Sequence, residues 1–129
     1  MKRTNYSSGA VWESSVGYSR AVKIGGLVEI SGTTAVNDAE VLHKGDAYLQ
    51  SVEILKKIQT VLEQAGGSLA DVIRTRIYVL DITQWEDVAR AHGEVFRDVK
   101  PATTMVEVSR LIDPEIVVEI EATAMISED

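Results

Sequence analysis

The sequence predicts an α+β fold in which one mixed sheet of about six strands carries two helices on one face. Two segments with apolar residues at spacings of three and four predict the helices. Shorter segments rich in β-branched residues predict the strands, in the order β-β-β-α-β-α-β-β. A chain of 129 residues has the length of one domain, which we place at residues 1–129.

The amino-acid composition disfavours several classes of function. A net charge of −7 opposes binding to the phosphate backbone of nucleic acids. The lack of cysteine excludes disulfides and thiolate chemistry, and two histidines alone do not favour a metal site. No stretch of the sequence predicts a membrane span or a signal peptide. We therefore expect a cytoplasmic protein that handles a small molecule and needs no metal or other cofactor.

The N-terminal third predicts a short edge strand, a polar arm and a hairpin. The edge strand lies near residues 2–6, and Trp12 in the serine-rich arm is interpreted as a packing anchor. Residues 17–24 and 27–33 are the hairpin strands, because the Gly-Gly pair between them supplies the positive φ values of a two-residue turn. Residues 37–40 are predicted to form a loop.

The ends of both helices carry recognisable signals. Asp46 is placed to cap the N-terminus of the first helix, and a second Gly-Gly pair terminates it. Thr83 and Glu86 have the spacing of a capping box at the start of the second helix, and Pro101 prevents its continuation. His92 on this helix is interpreted as a surface or packing residue.

The last third of the chain contains two strand-like runs, residues 101–111 and 116–126, separated by a short turn. We interpret them as an antiparallel hairpin. Alternation within the runs places apolar residues on one face and Glu107, Glu119 and Glu121 on the other.

The charged residues predicted on one face of the sheet have two possible interpretations. Residues 72–80 form a further strand, with Arg74, Arg76 and Tyr78 on the face opposite to its apolar residues. Cross-strand Arg–Glu pairs would follow if this strand lies beside the glutamate-bearing runs. Such a face is either solvated or a subunit interface. We favour the interface, because helices on one side leave the other side of the sheet uncovered.

The C-terminal runs also carry a family resemblance. The motif Pro-Ala-x-x-x-Val-Glu-Val-x-x-Leu, followed by Val-Glu-Ile-Glu-Ala-x-Ala, resembles the signature of the reactive-intermediate deaminase family (Rid, or YjgF type). The similarity extends from about residue 16 to the end of the chain. It implies a chorismate-mutase-like fold, a homotrimer with ligand clefts between subunits, and hydrolysis of enamines and imines such as 2-aminoacrylate.

The resemblance assigns roles to four residues. Tyr18 matches a tyrosine that reaches the ligand cleft, and Ser31 and Gly32 match a Ser-Gly pair that lines it. Glu119 matches the cleft carboxylate that positions water or exchanges protons, and we take it as the catalytic candidate. The plainer alternatives are a packing role for Tyr18 and an ordinary Arg-paired carboxylate for Glu119.

Position 103 departs from the deaminase pattern. Thr103 stands where the active branch has an arginine that anchors the substrate carboxylate, and Arg90 is an alternative source of positive charge. The sequence therefore leaves open a deaminase of altered specificity or reduced activity and a non-catalytic ligand-binding or regulatory trimer. An endoribonuclease activity is disfavoured by the acidic balance of charge.

Overall fold

A six-stranded sheet forms the frame of the computed structural model, which describes residues 1–127. Its strands in chain order are β1 (Arg3–Tyr6), β2 (Ala21–Ile24), β3 (Leu27–Thr33), β6 (Val72–Val79), β7 (Ala102–Glu107) and β8 (Val118–Met125). The short strands β4 (Val36–Asn37) and β5 (Glu40–Val41) form a separate ribbon in place of the predicted loop. Across the sheet the order is β1-β2-β3-β8-β6-β7.

Helices α2 (Ala47–Gln64) and α3 (Trp85–Phe96) pack against each other on one face of the sheet, and the short helix α1 (Val11–Val16) lies in the N-terminal arm. The predicted α+β class and the order of the main elements are confirmed. So is the cap of α2, because the Asp46 side chain accepts a hydrogen bond from the Leu49 N–H at 2.9 Å. Within residues 1–127, no helix combines the length and the hydrophobicity needed to cross a bilayer.

The predicted C-terminal hairpin is wrong, because β7 and β8 are not neighbours. β7 pairs in parallel with β6, whereas β8 runs antiparallel to both β3 and β6 in the middle of the sheet. The path from β6 through α3 to β7 is the kind of helical crossover that parallel pairing requires. A turn does precede β8, where the Glu115 N–H donates to Asp113 Oδ1 at 2.8 Å. The strand after this turn lies between β3 and β6, however, and not beside β7.

The two faces of β7 are also the reverse of the prediction. Met105 is in register with Ile77 and packs against the core, whereas Val106 is 42% exposed. The Glu107 carboxylate shares the side of Met105 and accepts a hydrogen bond from the Ile82 N–H at 3.1 Å, next to α3. Glu107 therefore does not lie on the face that the helices leave uncovered, which we call the open face.

The predicted capping box before α3 does not form. The helix begins at Trp85, and its N-cap residue Gln84 makes no side-chain cap. Asp81 instead accepts hydrogen bonds from both the backbone N–H and the hydroxyl of Thr83, at 2.9 and 2.6 Å. Because the Thr83 hydroxyl is already used by this turn, it is not free to cap the helix.

The hydrophobic core lies between the sheet and helices α2 and α3. The alternating inward positions of β8 and one stripe of α2 supply much of it, together with Phe96 of α3. These residues are all buried: Val118, Ile120, Ala122, Ala124, Ile54, Ile58, Leu62 and Phe96. Burial of each large apolar side chain stabilises the fold by about 1.5–3 kcal/mol. Trp12 is 58% exposed, so its prediction as a packing anchor is wrong.

One buried amide ties helix α2 to the segment before that helix and to the segment before β8. The Gln50 side chain is fully buried, and the two hydrogens of its Nε2 are shared among the carbonyl oxygens of Leu42, His43 and Glu115 at 2.9–3.2 Å. Its Oε1 accepts from the Val117 N–H at 2.9 Å. Four backbone groups in two segments, 42–43 and 115–117, thus depend on one side chain.

We expect Gln50→Leu to lower the free energy of unfolding by about 2–4 kcal/mol, because it leaves buried backbone groups without partners. Gln59→Leu on the exposed side of α2 is the matched control, with an expected change within about 0.5 kcal/mol. Urea unfolding at one fixed protein concentration measures both. Equal effects of the two substitutions would show that the Gln50 bonds do not hold these segments.

Candidate functional site

A bulge in β3 creates the recess that holds Glu119. The pairing of β3 with β8 shifts between Ile30 and Thr33, so that Ser31 and Gly32 occupy the irregular position. A Cβ on Gly32 would lie 2.2 Å from Oε2 of Glu119. Only glycine therefore allows the carboxylate to rest against the backbone of β3.

Arg20 forms the other wall of this recess. Its Nη1 donates to the Gly32 carbonyl oxygen at 3.2 Å and to Thr33 Oγ1 at 3.3 Å, and its Nη2 donates to the Tyr18 hydroxyl at 3.4 Å. The guanidinium also lies 5.5 Å from the centre of the Tyr18 ring. These contacts hold Tyr18 and the bulge together around one half-buried cation.

Ser31 contributes to the recess mainly by fixing its backbone. Its hydroxyl donates to the Ser19 carbonyl oxygen at 2.7 Å, and its N–H donates to the Arg20 carbonyl oxygen at 3.0 Å. The single hydroxyl proton of Ser31 is therefore engaged, and the oxygen remains able to accept from a ligand.

The Glu119 carboxyl has a pKa above its usual value of 4.5. Burial of the half-exposed side chain is the main cause, and the neighbouring Glu121 charge adds to the shift, while Arg20 opposes it. None of the ion pairs found within residues 1–127 involves Glu119. The arrangement leaves a carboxyl that exchanges its proton closer to neutrality than an exposed glutamate does.

The expected Arg–Glu ladder on the open face is replaced by other contacts. Glu121 accepts a hydrogen bond from the Tyr78 hydroxyl, which raises the pKa of that tyrosine. Arg74 donates to the Thr104 hydroxyl at 2.7 Å. Arg76 stands opposite Glu121 in the register, yet no ion pair joins them in the described part of the chain.

Arg90 lies in the helix layer, away from Glu119. Its guanidinium stacks over the ring of Tyr48 at 3.7 Å from the ring centre and lies 3.6 Å from the Asp87 carboxylate. The sheet separates it from Glu119, which alternates with the helix-facing residues of β8 and so projects to the open face. Within one chain Arg90 cannot pair with Glu119.

Thr103 also lies on the helix side of the sheet, at the exposed edge strand β7. It is in register with Thr75, and the two hydroxyl oxygens are 2.8 Å apart. The single chain therefore places Glu119 against Gly32 and links Tyr18 to the same bulge through Arg20, with Ser31 fixing the bulge backbone, but neither Arg90 nor Thr103 joins them.

Sequence reasoning missed Arg20 as a member of this group. Tyr18 and Arg20 are two residues apart in the predicted strand 17–24 and so share one side of it, which was the available signal. What the pattern could not show is that a bulge turns the Gly32 carbonyl toward the guanidinium, since bulges depend on the pairing of two distant strands.

Comparison with known proteins gives consistent matches over nearly the whole chain. The family model described as endoribonuclease L-PSP matches residues 9–126. A RutC family protein of Pyrococcus horikoshii is 38% identical over 109 residues, covering 83% of this chain and 85% of the relative. An uncharacterised protein of Streptomyces coelicolor is 35% identical over 117 residues, covering 91% of this chain and 87% of the relative.

Solved structures show the same fold. A Mycobacterium tuberculosis protein described as a member of the YjgF family superposes with a TM-score of 0.88 at 49% sequence identity. The match covers 97% of this chain and 100% of that protein. The six-stranded sheet with its helix-covered and open faces is thus shared with this relative.

The raised pKa of Glu119 predicts a pH-dependent stability. A folded pKa above 4.5 means that folding favours the protonated carboxyl, so its contribution is complete below about pH 4.5 and is lost as the pH rises through the folded pKa. Glu119→Gln imitates the neutral carboxyl. We therefore expect its free energy of unfolding to decrease less than that of the wild type between pH 4.5 and neutrality.

Urea unfolding across this pH range, at fixed protein concentration, measures the difference. Glu63→Gln, on the exposed face of α2, is the control and should keep the wild-type pH profile. If the free energy of unfolding of Glu119→Gln changed with pH in parallel with that of the wild type, the raised pKa of Glu119 would be contradicted.

Proposed function

The chain belongs to the YjgF/Rid family, and we propose that it acts on a small imine, enamine or related metabolite in clefts between the subunits of a homotrimer. The observation that carries the proposal is the Glu119 recess: a carboxyl with a raised pKa lies against the Gly32 bulge, to which Arg20 is bonded, and Arg20 in turn donates to the Tyr18 hydroxyl. One aromatic ring, one guanidinium and one proton-exchanging carboxyl suffice to orient a small polar molecule.

Hydrolysis of an imine gives Glu119 a defined role. The oxygen of one water bonds to the imine carbon, the carbon–nitrogen bond breaks, and nitrogen leaves as ammonia while a carbonyl remains. The Glu119 carboxylate takes one proton from the attacking water and passes it to the nitrogen. It then takes the remaining hydroxyl proton as the carbonyl forms and passes that to the nitrogen as well, so that both protons of the water leave with ammonia. A pKa raised toward neutrality suits a group that must both accept and donate a proton.

Thr103 supports altered specificity or reduced activity. A neutral hydroxyl replaces the arginine that the resemblance places at this position, and a hydrogen bond to a charged group contributes about 1.5–3 kcal/mol. A non-catalytic ligand-binding or regulatory trimer is the second candidate, because the same recess can bind a ligand without enough anchoring for turnover.

The open face supports the proposed assembly. Ile24, Leu27 and Met125 lie next to one another in the register of β2, β3 and β8, and they are 37%, 38% and 50% exposed. An apolar cluster of this kind on an uncovered sheet is typical of a subunit interface.

An endoribonuclease function, which the description of the family model suggests, has less support. The net charge of −7 weakens attraction to a polyanion. On the open face Arg74 is bonded to Thr104 and Arg76 stands opposite Glu121, so residues 1–127 form no continuous basic stripe there.

We expect wild-type turnover of 2-aminoacrylate to be at least about ten-fold slower than that of relatives with arginine at position 103, because the missing anchor corresponds to roughly 1.5–3 kcal/mol. Ammonia release from enzymatically generated amino-acid imines measures the rate. Thr103→Arg should recover part of the activity with 2-aminoacrylate.

Glu119→Gln is the test of the catalytic role in the same assay, with Glu63→Gln as the exposed control. Abolished turnover in the first variant and wild-type turnover in the second are expected. If the wild type binds a substrate imine but releases no ammonia from any, the non-catalytic candidate replaces the deaminase.

Light scattering after size exclusion should give a mass of about three times 14.1 kDa. Leu27→Glu places a charge within the apolar cluster of the open face and should yield smaller species. Leu49→Glu is the matched control, since Leu49 on the helix side is 37% exposed against 38% for Leu27. A wild-type monomer at micromolar concentration would refute the proposed assembly.

A further inference from the structure

A chain of hydrogen bonds leads from the helix layer to the surface at Thr103. His92 Nε2 lies 2.9 Å from Thr75 Oγ1, and Thr75 Oγ1 lies 2.8 Å from Thr103 Oγ1. Thr103 in turn donates to the Pro101 carbonyl oxygen at 3.2 Å. Thr75 is fully buried, His92 is half-buried and Thr103 is exposed, so the chain connects the interior with the edge of the sheet.

The number of available protons determines which atom donates and which accepts in each of these hydrogen bonds. A carbonyl oxygen only accepts, so the one hydroxyl proton of Thr103 points to Pro101. Thr103 must then accept the proton of Thr75, and Thr75 must accept one from His92. The histidine therefore carries its proton on Nε2.

The surroundings of His92 support this protonation state. Burial lowers its pKa, which favours the neutral ring with a single N–H. The ring lies 4.6 Å from that of Phe96, one helical turn further along α3, and this contact restricts its rotation. A neutral ring with fixed orientation is a stable donor to Thr75.

We propose that His92 and Thr75 are positioning residues that hold the Thr103 hydroxyl as a hydrogen-bond donor for an acceptor oxygen of the ligand, either a carboxylate or a carbonyl oxygen. The inference rests on the proposed function in one respect, namely that Thr103 lines the ligand cleft. When the ligand arrives, the Thr103 proton turns from the Pro101 carbonyl to the ligand oxygen, and the rest of the chain stays in place.

Two physical consequences distinguish this donor from an arginine. Successive hydrogen bonds polarise one another, so the last hydroxyl donates more strongly than an isolated threonine. The donor carries no charge, however, and therefore it does not require a charged partner. Position 103 thus suits neutral carbonyl compounds as well as carboxylates.

The first test examines the ligand-free protein. Nitrogen-15 NMR of the imidazole ring at neutral pH should show the Nε2–H tautomer of His92. The Nδ1–H tautomer would overturn the proposed direction of the chain, whatever the protein binds.

The second test measures binding of 2-oxobutanoate, the stable product of hydrolysis of the corresponding imine, and of its neutral amide. We expect Thr75→Val and His92→Phe to weaken binding of both compounds by about three- to ten-fold, the size of one hydrogen bond. Thr75→Ser keeps the hydroxyl and His92→Gln keeps an N–H donor, so these variants should restore most of the affinity.

Equal affinities of Thr75→Val and Thr75→Ser, in proteins that both fold, would overturn the positioning role. Binding of the carboxylate but not of the amide would overturn the inferred tolerance of neutral ligands. A wild type that shows the Nε2–H tautomer yet binds neither compound would retain the hydrogen-bond chain and refute the proposed ligand class.

Discussion

The rest of this structure depends on one constraint, namely that helices cover only one face of the sheet. Helices α2 and α3 bury one face, so the alternation of every strand sorts its side chains into core and open face. In β8 this places Ile120 in the core and its neighbours Glu119 and Glu121 on the other side. The same alternation that stabilises the core therefore also supplies the carboxylates of the candidate site.

The recess around Glu119 shows how a local irregularity becomes a chemical feature. The pairing of β3 with β8 is irregular at Ser31 and Gly32, and on this bulged backbone a side chain at position 32 would displace the carboxylate. The glycine admits the carboxylate to a half-buried position, and that burial raises its pKa. Arg20 is bonded to the same bulge, so the cation and the carboxyl share one backbone support.

Sequence patterns predicted the elements and their order, but not all of their neighbours. Helix periodicity and the Asp46 cap are local signals that held, whereas the equally local capping box at Thr83 failed because the Asp81 turn already uses that hydroxyl. Strand alternation predicts which residues share a face of the sheet, but it does not predict which strand pairs with which. For this reason the C-terminal hairpin was wrong, and Met105 rather than Val106 packs on the core. Likewise, the contact between Thr75 and His92 joins distant segments that no local pattern connects.

The sheet itself has a consequence for how a ligand is recognised. Glu119 and Thr103 belong to different faces of one chain, so both can touch the same small molecule only if they come from two copies. Binding would then be coupled to assembly, because the ligand stabilises whichever arrangement of subunits completes its site. Under that coupling a neutral Thr103 has an advantage over a cation: it brings no buried charge to the interface when the cleft is empty.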